Sequence, residues 1–367
     1  MKFSVSQSSL EKALAIVGKG MASNSTLPVL SGVFIKAEAG VIELQTTNLT
    51  ISIRHRIAAN VEEPGETVVS GKILTSIVKT LADAAVTFDG GDRVLNITCE
   101  KSKFRLNTLS AQDFPEFPTY TLERSIDLPC DLLGQMVDKV YKVTSKDSSR
   151  PILSGILLSV EENTIRLVAT DSYRLAVCDS NHETSSAEEA FSTIVAGTTL
   201  HDVMQLASDS DQLTIGTTDS QVVFSFGDTT YVARKIEGTF PNYQQLLPST
   251  CNTSITIDVP QFSAALKRVS VIAQANPSVR LDVDVDGKLM QLSASSPDQG
   301  DSTETINVEV EGESMSIGLN YHYVFDCVNA AGNQKEITLE LQSTMQPGIF
   351  KSYGNINYLY LLMPVRM

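Results

Sequence analysis

Asp282-Val283-Asp284-Val285-Asp286-Gly287 places carboxylates at alternate positions ahead of a glycine, the opening of an EF-hand calcium loop. Its twelfth position is Ser293, which has no bidentate carboxylate to give, and the valines alternate as a strand does. The segment is therefore predicted to be a hairpin turning at Asp286-Gly287. Gly65 to Lys72 has the outline of a phosphate loop, but its Gly-Lys falls one residue late and Ile73 stands where a magnesium-holding hydroxyl belongs. His55, His182, His201 and His322 show no paired metal spacing, there is no GxSxG, and no acids are grouped as an acid/base pair. No catalytic residue, no metal site and no cofactor is predicted.

The chain instead repeats itself. Pro28-Val29-Leu30-Ser31-Gly32 returns as Pro151-Ile152-Leu153-Ser154-Gly155, 123 residues later. Phe114-Pro115 returns as Phe240-Pro241 and then as Met363-Pro364, at shifts of 126 and 123. Solenoid units run to roughly 20–50 residues, so a period near 123 in 367 residues predicts three domains, each with its own core. The boundaries are placed at 1–125, 126–250 and 251–367.

Apolar residues at i, i+3, i+4 and i+7 mark an amphipathic helix. They occur at Leu10/Ala13/Leu14/Val17, Leu74/Ile77/Val78/Leu81, Leu133/Met136/Val137/Val140, Leu200/Val203/Met204/Ala207, Phe262/Ala265/Leu266/Val269 and Val324/Cys327/Val328/Ala331. Helices are predicted over 6–20, 70–81, 130–146, 196–207, 258–273 and 318–331, two per domain, with Pro129 and Pro260 near two of the starts. Between them lie strand patterns with turns at Gly40, Gly227-Asp228 and Asp286-Gly287. The fold class is α+β, with helices laid on antiparallel sheets.

The chain has 43 acids, 28 bases and a net charge of −15, a balance that by itself argues against nucleic-acid binding. The distribution tells more. The six helical segments hold nine bases and six acids, whereas the remainder holds nineteen bases and thirty-seven acids. Five cysteines without CxxC, no apolar leader and no run of ~18 apolar residues predict reduced thiols in a cytoplasmic protein, with no membrane partner.

The three two-helix copies, PVLSG/PILSG, Thr170-Asp171-Ser172-Tyr173-Arg174-Leu175 and the terminal Met-Pro-x-Arg resemble the bacterial DNA polymerase III beta sliding clamp family along the whole chain. The resemblance implies three domains of the DNA clamp fold, forming half of a ring that two copies close head to tail around duplex DNA. It implies a non-catalytic processivity factor of DNA replication that contacts DNA independently of sequence. Implied partners are the replicative polymerase alpha subunit, the clamp loader delta subunit, and other DNA polymerases and repair proteins. Their Gln-Leu-x-Leu-Phe-type peptides would enter a groove at Leu153, Thr170, Ser172, Tyr173, Arg174, Leu175, Pro241, Leu246, Asn320, Tyr323, Met363, Pro364, Val365, Arg366 and Met367. Eight of the nine bases of the helical segments, Lys12, Lys72, Lys79, Lys139, Lys142, Lys146, Lys267 and Arg268, would face DNA. Phe104 and Leu106 of one copy would meet Val271 and Ile272 of the other, with Asp298, Asp301 and Glu304 facing bases across the contact. Tyr173, Gln245, Pro347 and Asn24 depart from residues common in that family. A metal-independent hydrolase with an inter-domain cleft is the reading from another class; a stable dimer would distinguish the clamp from it.

Overall fold

The computed structural model describes residues 1–23, 25–91, 93–161, 164–181, 191–248, 250–274, 276–332 and 334–366. Asn24, His182 and Met367 lie outside the described residues. The six predicted helices are α1 (Gln7–Gly18), α2 (Gly71–Thr80), α3 (Cys130–Val140), α4 (Gly197–Leu206), α5 (Val259–Val269) and α6 (Tyr321–Ala331). Side-chain caps fix three of the starts. Ser6 Oγ accepts from the Ser9 N–H at 3.2 Å, Asp258 Oδ1 from Gln261 at 2.8 Å, and Asn320 Oδ1 from His322 at 3.0 Å. Residues 318–320, predicted as helix, instead complete the strand Met315–Asn320, where Leu319 pairs with Val279. Pro129 ends a strand and Pro260 sits in the first turn of α5. Four predicted stripes are wholly buried, among them Leu10, Ala13, Leu14 and Val17 in α1, Phe262, Ala265, Leu266 and Val269 in α5, and Val324, Cys327, Val328 and Ala331 in α6, whereas Ile77, Leu81 and Met204 of the other two are half-buried. Each buried Val, Leu or Phe side chain contributes about 1.5–3 kcal/mol.

The described chain divides into two compact units, Met1–Asp131 with Asp202–Lys235, and Leu132–His201 with Ile236–Met367. The first contains a thirteen-stranded antiparallel sheet, and the second a nine-stranded and a four-stranded sheet. The division cuts through the second repeat because strands pair across repeat boundaries. Thr229–Arg234 pairs with Ile51–Ala58 in the first unit, and Arg174–Asn181 pairs with Asn357–Leu362 in the second. The Asp286-Gly287 hairpin is present, with Val283 opposite Met290. The Asp284 carboxylate accepts from the Gly287 N–H at 3.2 Å, and Lys288 takes the left-handed conformation at φ +51°. Asp282 is held by Arg280 at 2.7 Å. Among the described residues no group of three or more His, Cys, Asp or Glu could hold a metal ion, and no helix is long and apolar enough to cross a membrane.

The repeated pentapeptide has a structural reason. Pro28–Ser31 and Pro151–Ser154 are both 3-10 turns that hand the chain to a strand at Gly32 and Gly155. In each the serine hydroxyl donates back to the proline carbonyl, at 2.7 Å for Ser31 and 2.6 Å for Ser154. A Cβ on Gly32 would come within 2.6 Å of Val68 Cγ1, and one on Gly155 within 2.5 Å of Ile194 Cγ2. The aromatic markers close the same arrangement. Phe114 packs with Val29 and Leu30, and Phe240 packs in a cluster that Ile152 joins. Met363, the third marker, is exposed.

Candidate functional site

The strands Thr164–Thr170, Arg174–Asn181, Asn357–Leu362 and Gly348–Ser352 lie side by side in the second unit. Register aligns Thr170, Leu175, Leu361 and Ile349 in one row and Val168, Val177 and Leu359 in the next. The 3-10 turn Tyr243–Leu246 straps this face, with Phe240 and Tyr243 buried against Leu175, Val177 and Leu361. Leu175 is therefore floor, not open wall. Leu362 points to the opposite side and is fully buried.

Exposed apolar side chains border this face: Tyr173 at 60% and Met363 at 43% where the Arg174–Asn181 and Asn357–Leu362 strands end, and Leu246 at 54% on the strap. Pro241 is exposed beside the strap, and Leu153 is half-buried. The C-terminal tail is docked rather than frayed. The Met363 N–H donates to the Tyr173 carbonyl and the Val365 N–H to the Gly318 carbonyl, both at 2.9 Å. Pro364 and Val365 are half-buried and Arg366 is exposed. Met345, not expected from sequence, is 68% exposed in the turn before Gly348, and Gly348 pairs with Leu362 at the same sheet end. A Met two residues before Pro347, between two apolar strand patterns, was the available signal.

Tyr173 follows Ser172, whose φ is +79°. A non-glycine residue there is held by its surroundings. Asp171 Oδ1 accepts from the N–H groups of Tyr173 and Arg174 at 3.0 and 3.1 Å, Thr170 donates to the Arg174 carbonyl at 2.8 Å, and Arg150 donates to Ser172 Oγ at 3.0 Å. Arg174, placed by sequence in the groove, is buried with its guanidinium fully engaged. It donates to Asp171 (2.9 Å), Asp326 (2.6 Å), the Tyr360 hydroxyl (3.1 Å) and the Lys142 carbonyl (2.5 Å), and lies 4.1 Å from the Tyr323 ring centre. Burial works against its charge, yet Tyr360, Asp326 and Asp171 hold its pKa above the ordinary arginine value. Tyr323 is half-buried and its carbonyl accepts from the Tyr360 hydroxyl; Asn320 is occupied as the α6 cap. Beside this turn a cleft of about 740 Å³ is lined by Lys142, Lys146, Arg150, Tyr173, Tyr323 and Asp326, among others.

The predicted DNA-facing bases divide into two groups. Lys12, Lys72, Lys79, Lys142, Lys146 and Lys267 are exposed. Lys139 is not free to face a ligand. Its half-buried ammonium donates to the Ala330 carbonyl and lies 5.3 Å from the Tyr358 ring centre, and burial lowers its pKa below the ordinary lysine value. Arg268 forms a bidentate pair with Glu304 at 2.7 and 2.9 Å within the chain, so Glu304 already has a partner before any second copy arrives. Four of the cysteines are buried thiols and Cys251 is exposed; burial pushes Cys178 up to about 12.

Two strands expected at the contact between copies have an unpaired side among the described residues. In the strand Ser102–Leu109, residues 102–107 pair with Val94–Cys99, and on the other side, among the described residues, only Thr108 and Leu109 find partners. Phe104 and Leu106 are half-buried there, among exposed Lys101, Lys103 and Arg105. Strand Gly300–Asn307 is one of the two outer strands of the four-stranded sheet. Asp298 and Asp301 are exposed at that strand, as is Val271 after α5; Ile272 is half-buried.

Comparison with known proteins agrees along the whole chain. Residues 1–118, 127–242 and 244–366 match the N-terminal, central and C-terminal domains of the DNA polymerase III beta subunit. The beta sliding clamp of Synechocystis sp. is 30% identical over 390 residues, covering all of both chains, and that of Synechococcus elongatus is 28% identical over 374 residues, again covering both. The crystal structure of the DNA polymerase sliding clamp from Bacillus subtilis superposes with a TM-score of 0.94 at 26% identity, over 100% of this chain and 99% of that one. With three consecutive domains matched in order and full-length relatives at this identity, the chain belongs to the DNA polymerase III beta subunit family, the bacterial beta sliding clamps.

Proposed function

We propose that this chain is a sliding clamp that holds the replicative polymerase on DNA and carries out no chemistry of its own. Two copies, each of three domains (1–125, 126–250 and 251–367), close head to tail into a ring around duplex DNA in the cytoplasm. The observation that carries the reading is the pair of unlike open edges on one chain. One edge presents Phe104 and Leu106 among bases, and the other, at Gly300–Asn307, presents acids near Val271 and Ile272. Edges of opposite charge on one chain favour a heterologous contact, and rotation by half a turn closes it as a dimer.

Exposed Lys12, Lys72, Lys79, Lys142, Lys146 and Lys267 supply the phosphate-facing charge. Contacts of that kind read no bases and permit sliding. The acidic remainder of the surface repels DNA elsewhere. The border of the sheet face at Tyr173, Leu246 and Met363 receives Leu and Phe side chains of partner peptides, with Met345 as a further wall. The polymerase alpha subunit, the clamp loader delta subunit and other polymerases and repair proteins would share it, since flexible Met walls adapt to several peptides.

The test is retention on DNA. A loaded clamp stays on a circular duplex through gel filtration and is lost when the circle is linearised. Equal retention on both forms would mean ordinary binding and overturn the ring.

A further inference from the structure

The carboxylate of Asp326, on α6, has two claimants. Its Oδ2 accepts from Arg174 at 2.6 Å, and its Oδ1 lies 3.9 Å from the Lys142 ammonium. Arg174 also takes the Lys142 backbone carbonyl at 2.5 Å, so the two bases and the acid form one closed cluster. Arg174 is the clasp of the turn that carries Tyr173: it holds Asp171, and Asp171 in turn binds the N–H groups of Tyr173 and Arg174. The Lys142 side chain is more than half exposed and opens onto the same cleft as Tyr173.

We infer that Asp326 couples duplex binding to the peptide groove, because one carboxylate is divided between the clasp of the groove turn and a lysine on the DNA face. This rests on the reading of Lys142 and of the groove given above. A phosphate arriving at Lys142 draws the ammonium off Asp326, and the carboxylate's charge then goes undivided to Arg174. The Asp171–Arg174 turn is held more firmly, and a peptide meeting Tyr173 finds its wall already in place. Arg174 and Asp326 are thus positioning residues, and neither needs to touch the peptide. Coupling of this kind is reciprocal: the factor by which duplex tightens peptide binding equals the factor by which peptide tightens duplex binding.

The experiment titrates a fluorescent Gln-Leu-x-Leu-Phe peptide into the full chain at low salt, with and without a saturating short duplex, and repeats the titration with labelled duplex and unlabelled peptide. Wild type is expected to bind each ligand about fivefold tighter in the presence of the other, the lower end of ordinary coupling. Asp326→Asn removes the shared charge, and Lys142→Met removes one claimant at an exposed position where folding is not at stake. Both variants should bind peptide with the same affinity whether or not duplex is present. Peptide and duplex that both bind wild type but ignore each other would overturn the coupling alone. So would variants that retain the wild-type factor. Failure of the peptide to bind at all would overturn the reading of the groove, and the coupling with it.

Discussion

The backbone N–H of Met363 donates to the carbonyl of Tyr173 at 2.9 Å, joining the C-terminal tail to a turn 190 residues earlier in the sequence. The strands behind these residues, Asn357–Leu362 and Arg174–Asn181, are already paired, so the bond extends their ladder by one step beyond the sheet. It brings two exposed side chains of unlike origin to one place. Tyr173 is set by the strained Ser172 turn, and Met363 stands where the two earlier repeats bury a phenylalanine.

Ile272→Asp should give folded monomers. The residue is half-buried beside exposed Val271, near the open edge Gly300–Asn307. Covering an unpaired carboxylate with an apolar contact costs on the order of several kcal/mol. Sedimentation at low micromolar concentration should show the loss of dimer, with an unchanged circular dichroism spectrum. A persistent dimer would place the contact elsewhere.

Lys142 and Lys146 should be separable from Lys139. Replacing the exposed pair with Glu should weaken duplex binding on every sequence alike and leave the melting temperature nearly unchanged. Lys139→Glu removes a donor from the Ala330 carbonyl and sets a carboxylate against it, so it should lower stability by about 1–3 kcal/mol. Denaturant titration and duplex anisotropy on the same two proteins check both halves. A Lys139→Glu protein with normal stability and specific loss of duplex binding would restore that lysine to the DNA face.

Gly32→Ala and Gly155→Ala test the repeated turn. At Gly32 the new methyl meets Val68 Cγ1 at 2.6 Å and is also confined by the Val29 carbonyl at 3.0 Å. At Gly155 the nearest atom, Ile194 Cγ2 at 2.5 Å, is a β-branch methyl like that of Val68, but the second is the far end of the Ile236 side chain, which can turn aside, and the nearest backbone oxygen stands back at 3.3 Å. Overpacking costs typically about 1–3 kcal/mol, so urea titration should place Gly32→Ala toward the upper figure and Gly155→Ala below it. The reverse order would show that side-chain relief does not govern this turn.

The helices were legible because burial on one face imposes a 3.6-residue period, and the α1, α5 and α6 stripes are buried as their spacing requires. The repeated pentapeptide was legible because a glycine and a proline each answer a local backbone demand. Nothing local marked Arg174 as a clasp. Its partners Asp326, Tyr360 and Lys142 lie 152, 186 and 32 residues away, and strand pairing together with the packing of α6 and of the turn after α3 on the sheet brings them together. Lys139 read as a solvated helix lysine for the same reason: the carbonyl that captures it is 191 residues distant. The pairing of strands from neighbouring repeats was equally hidden, because a period of two gives a strand's faces and not its neighbour.

Deleting residues 364–367 is the most direct test of the groove. The deletion removes the Val365 bond to Gly318 but leaves the Met363 bond to Tyr173 and the whole Asn357–Leu362 strand in place. One lost backbone bond is worth about 0.5–1.5 kcal/mol, so the truncated chain should still dimerise and unfold in one transition at a slightly lower temperature. Peptide binding should suffer far more. Pro364 and Val365 are half-buried beside exposed Met363, which is bonded to the Tyr173 turn, and without them the proposed apolar wall there is open on one side. Loss of a desolvated wall at an anchor site runs to about 2 kcal/mol or more, roughly thirtyfold in affinity. A fluorescence titration with a Gln-Leu-x-Leu-Phe peptide measures this directly. Unchanged affinity in a folded, dimeric truncation would mean that partners dock on another face of the chain.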